Sequence, residues 1–146
     1  MNWKAEAMEK LRSYETMRLA LVNLPREIDR LEAEFTGIGA QRFTGRVTAK
    51  DQRSREENML NNIVKRQELQ WSLDQAKLWM ESVTGALEAL EPEEKKILQQ
   101  LYIAPKDGGM EQLCTKLCLE KSSIYRKRDI ALRKFTLAMY GATESN

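Results

Sequence analysis

The chain has 146 residues, 24 basic and 22 acidic side chains and no histidine, which suits one ordinary domain or two small ones. Lacking histidine, it has no imidazole for general-base catalysis, no Ser–His triad and few routes to a zinc site. No run approaches the ~18 apolar residues of a membrane span, and Met1–Met17 mixes charged with apolar residues instead of forming a signal peptide, so a cytoplasmic location is expected.

Gly and Pro are sparse, at 7 and 3, and strong helix formers dominate, so an all-α fold is expected. The first segment, Asn2 to Thr36, carries apolar residues at 14, 17, 21, 24, 28, 31 and 35. This 3-4-3-4 spacing is a coiled-coil-like seam. Pro25 interrupts it, and a helix-interior proline costs about 3 kcal/mol. A kink or break is therefore expected near Leu24, with Pro25 opening the next helix.

Residues 37–53 hold Gly37, Gly39 and Gly45 with no apolar periodicity. Arg42, Arg46, Lys50 and Arg53, followed by Arg55, outweigh Asp51 there. This reads as a basic loop. It is either a solvated linker or an arm that orders on contact with nucleic acid.

A second long helix is expected from about Ser54 to Ala89. Ile63, Leu69, Leu73, Ala76, Met80, Val83, Leu87 and Leu90 step by three, four or six, and Trp71, Leu78 and Trp79 widen the apolar face. At 1.5 Å per residue such a helix is ~54 Å long. Its expected partner is the first segment, folded back as an antiparallel hairpin. At least one of Trp71 and Trp79 is expected in the core. The other is a candidate for a subunit interface, and homo-oligomerisation through the hairpin is an open expectation.

From Lys95 onward there are 10 basic against 5 acidic side chains, after 3 against 7 in residues 58–94. A basic end beside an acidic middle points to a polyanionic partner. Glu91-Pro92-Glu93-Glu94 reads as a helix start, with proline at the first position and acids at the positive end of the helix dipole. Ile97, Leu98, Leu101 and Tyr102 form the apolar face, and Pro105 with Gly108-Gly109 ends the helix. A short helix from Met110 to Leu117 follows, then a turn at Cys118-Leu119-Glu120, then a helix from Lys121 carrying Ile124, Tyr125, Ile130, Leu132 and Phe135. Two short helices around a tight turn form the helix-turn-helix pattern, whose second helix enters the major groove of DNA.

Ile124 is expected to face inward. Lys121, Ser122, Ser123, Arg126 and Lys127 point outward as candidate base or phosphate contacts. Arg128, Arg133 and Lys134, further along, are candidate phosphate contacts. The competing reading is a solvated basic helix. Cys114 and Cys118, four apart, lack a third ligand for a metal and are expected as small core residues. No cofactor, metal or catalytic residue is expected.

These residues carry a resemblance. Leu90 to Phe135 resembles the C-terminal, promoter-reading domain of bacterial sigma factors, through Leu90-Glu-Pro-Glu-Glu-Lys-Lys-Ile-Leu98, Tyr102, Leu113-Cys-Thr-Lys-Leu117, Ser122-Ser-Ile-Tyr-Arg126 and Ala131-Leu132. The whole chain is similar to small phage transcription regulators of the ArpU and RinA type. The resemblance implies a helical hairpin over 1–89, with its basic loop at about 37–53, and a helix-turn-helix domain over 90–146. It also implies a sequence-specific regulator on double-stranded DNA, acting with RNA polymerase. The alternative is a DNA-packaging adaptor like a phage terminase small subunit. Three positions depart from the motif: Cys118 stands where glycine is usual and φ is positive, Cys114 where alanine is usual, and Glu120 where serine caps the helix.

Overall fold

A computed structural model describes residues 2–40 and 45–143. The described residues form six α-helices and one π-helical turn, with no strand: α1 Trp3–Arg12, α2 Tyr14–Gly39, α3 Ala49–Glu88, α4 Pro92–Leu98, the π turn Gln99–Ile103, α5 Gly109–Leu117 and α6 Lys121–Tyr140. No helix among them is long and apolar enough to cross a membrane.

Two compact units result. One combines the residues up to Arg18 with those from Leu78 onward; the other is Leu19–Lys77. This division does not follow the boundary at 89/90 drawn from sequence. The reason is α1, whose Ala7 and Leu11 are fully buried against Val83, Leu98, Leu132 and Phe135. The amino-terminal helix is therefore part of the core that also holds α6.

In the Leu19–Lys77 unit, the α2 and α3 segments face each other in opposite directions. Near their connection, the Arg55 guanidinium donates to the Gly39 carbonyl at 2.6 Å. Farther along, the buried Asn62 amide donates to the Leu31 carbonyl at 2.8 Å. Arg66 donates to the Asn62 side-chain oxygen and lies 4.9 Å from the Phe35 ring centre. The seam residues behave as spaced: Ile28 and Leu31 are buried, and Leu21, Leu24 and Phe35 half-buried.

Two expectations are corrected. Helix α2 runs through Pro25; the helical interruption is at Ser13, whose φ of −84° and ψ of −5° stay right-handed. Pro25 leaves one hydrogen bond unmade, yet Leu21 and Leu24 pack half-buried before it and Ile28 and Leu31 are buried after it, a fully buried side chain of this size contributing on the order of 1.5–3 kcal/mol. The basic loop is shorter than 37–53. Helix α2 reaches Gly39 and α3 begins at Ala49, so Lys50, Asp51, Arg53 and Arg55 are helical. The Thr48 hydroxyl accepts from the Asp51 amide, and the Asp51 carboxylate accepts from the Thr48 amide and hydroxyl. This reciprocal cap starts the helix early. Arg42, in the expected loop, lies outside the described residues. Of the two tryptophans, Trp79 packs against the core of the first unit, whereas Trp71 is 66% exposed.

Candidate nucleic-acid interface

Helix α4 begins with Glu91 as its cap and Pro92 in the first turn. The Glu94 carboxylate reaches back to accept from the Glu91 amide at 2.9 Å, completing a capping box. Beyond the π turn, α5 begins after Gly108, which is left-handed at φ 75°. Helix α5 buries Leu113 against Ile97 of α4 and Ile124 of α6, and Leu101, Met110, Cys114, Leu117 and Leu119 surround them. This small core fixes α5 against α6.

The turn between these helices is closed by its backbone. Cys118 has φ 54° and ψ 43°, the left-handed conformation expected from its place in the motif. The Leu119 amide donates to the Cys114 carbonyl at 3.2 Å, which satisfies an end-of-helix acceptor. Leu119 follows directly and packs on the small core. Cys114 is half-buried there, but Cys118 is exposed. The expectation that both cysteines are core residues is thus corrected: the left-handed turn carries Cys118 out to solvent. Glu120 is extended and its side chain makes no cap bond to α6.

Helix α6 buries Ile124, Ala131, Leu132, Phe135 and Thr136. Ile124 faces inward as its spacing predicts. Ser122, Arg126, Asp129 and Arg133 then fall on the outer stripe at helical spacing, all exposed, with exposed Lys121 at the helix start. Tyr125 and Ile130 of the same helix are 38% and 52% exposed.

The candidate residues thus separate into groups. Among the described residues, Lys121, Arg126 and Arg133 make no ion pair. Ser123 is half-buried. Arg128 bonds Asp129 at 2.9 Å and lies 4.8 Å from the Tyr125 ring centre. Lys127 pairs with Glu93 at 3.0 Å, and Lys134 with Glu94 at 3.1 Å. Lys127 therefore turns toward α4 rather than outward, and a phosphate contact by Lys134 requires it to leave a carboxylate that is only 11% exposed. Glu93 and Glu94, expected only as helix-start acids, thus also hold two cations of α6. The spacing of Glu91 and Glu94 held the signal for the capping box, but nothing local linked either acid to α6.

Among the described residues, no group of three or more Cys, Asp or Glu is placed to hold a metal ion. No known protein family, curated protein or solved structure matches the chain.

Proposed function

We propose that this chain is a non-enzymatic regulator of transcription that reads duplex DNA through the outer stripe of α6. One observation carries the reading. Lys121, Ser122, Arg126 and Arg133 lie exposed along one helix, and the cations among them are free of ion pairs among the described residues. A reading helix presents donors of this kind to base edges from its first turns and to phosphates further along. Arg126 is the candidate base contact, because a guanidinium donates in bidentate fashion to guanine. Lys121 and Arg133 serve as phosphate contacts, and Ser122 meets either.

The resemblance to the promoter-reading domain of sigma factors supports RNA polymerase as the protein partner, a phage or prophage setting and a cytoplasmic place of action. Self-association through α3 is the second proposed contact. Leu60, Val64 and Trp71 leave large apolar surfaces in solvent along that helix, and a second copy presents the same apolar face to cover them.

The test is the affinity of the full chain for duplex DNA across a salt series. The proposal expects the logarithm of affinity to fall steeply with the logarithm of salt, by about 0.9 per phosphate neutralised. Salt-independent binding, or none at low salt, overturns it. A closed ring of many copies, with no association with polymerase, replaces it with the packaging-adaptor reading.

A further inference from the structure

A second cationic feature lies outside the α6 stripe. A concavity of about 280 Å³ opens between α4, the π turn and α5. Lys96 and Gln100, one helical turn apart, stand on one wall; Gln112 and Lys116, also one turn apart, stand on the other. Lys106, from the connection between the helices, completes the lining lysines. No acidic side chain lines the space, and α6 contributes nothing to it.

The charge is uncompensated. None of these three lysines makes an ion pair among the described residues, whereas Lys127 and Lys134 of the same unit are each held by a carboxylate. Like charges converging on one concavity raise its potential and favour a multiply charged anion. The Gln100 side-chain oxygen is buried with no hydrogen-bond partner. A buried acceptor without a donor is costly. The concavity thus offers cationic donors for phosphate oxygens, with Gln100 and Gln112 beside them on its walls.

We propose that this concavity is a phosphate-binding site, held by Lys96, Lys106 and Lys116 and oriented by Gln100 and Gln112. The phosphate comes either from a free nucleoside polyphosphate or from the backbone of duplex DNA. Only the second source rests on the DNA reading above.

The experiment is a set of two-dimensional NMR titrations of the full chain with three probes in turn: inorganic pyrophosphate, ATP and a short duplex of mixed sequence. The comparison is the K96Q/K116Q variant, which replaces exposed side chains; K106Q is the second variant if the first does not fold. Saturable shifts of the Gln100 and Gln112 side-chain amides with pyrophosphate or ATP, weakened about tenfold or more in the variant, support the site with a free ligand. Shifts with the duplex alone, lost in the variant, support the backbone source. No shift with any probe overturns the proposal, as do shifts that persist unchanged in both variants. If the duplex still binds through α6 while the concavity is silent, the site fails and the DNA reading stands.

Discussion

Cys118 sits in a backbone conformation, φ 54° and ψ 43°, that costs an L-residue roughly 1–2 kcal/mol. Glycine adopts it freely but gains freedom in the unfolded chain, which offsets part of the benefit. Cys118→Gly is therefore expected to raise stability by about 0.5–1 kcal/mol in denaturant unfolding. An unchanged or lower midpoint contradicts the strain assigned to this turn. Glu94 has the opposite character: it is nearly buried, completes the cap of α4 and receives Lys134. Glu94→Ala is expected to cost about 1–2 kcal/mol, chiefly through the lost cap. A loss no greater than that of an exposed ion pair, below about 0.5 kcal/mol, removes that role. The left-handed turn was legible because a motif with a fixed glycine position fell on Cys118. The lysine pairings were not, since 34 residues separate Lys127 from Glu93 and 40 separate Lys134 from Glu94, and only the packed fold sets such distances.

The long helices were legible through their period. Ile28, Leu31, Leu73, Ala76 and Val83 are buried where three- and four-residue steps placed them. Their ends were less so. The break expected at Pro25 rests on a local penalty that the packing of the seam, buried at Ile28 and Leu31, outweighs, and the loop expected over 37–53 rests on glycine content, which is silent on the cap formed by Thr48 and Asp51. That cap carries a pH dependence. The hydroxyl and amide of Thr48 hold the Asp51 carboxyl below its ordinary value. A depressed folded-state value means a stabilising contribution that is complete above the ordinary carboxylate range and is lost as pH falls through the folded value. The first turn of α3 is thus expected to lose helical carbon chemical shifts on acidification below that range, and Thr48→Ala to show the loss already at neutral pH. A first turn indifferent to both changes rules out the cap as its anchor.

At the scale of the molecule, near-neutral net charge conceals a basic carboxy-terminal third, and folding sorts its cations by partner. Some are held by acids of α4, three line a concavity beside α5, and Lys121, Arg126 and Arg133 remain along the outer stripe of α6. Far from that stripe in sequence, Trp71 leaves two thirds of its surface in solvent. Trp71→Ala is expected to leave folding stability within about 0.5 kcal/mol of the parent while weakening self-association about tenfold in sedimentation equilibrium, since exposed aromatic side chains dominate interface energetics. An unaltered association constant excludes that face of α3 from the contact.

The most direct test of the central claim is selection from a pool of random duplexes, with the parent chain and Arg126→Ala compared on the retained sequence and on unselected DNA. Base reading by α6 predicts a retained motif, a loss of roughly 1–3 kcal/mol on that motif for Arg126→Ala, and little change on unselected DNA. A pool that yields no motif, or an equal loss on both DNAs, contradicts base reading by α6.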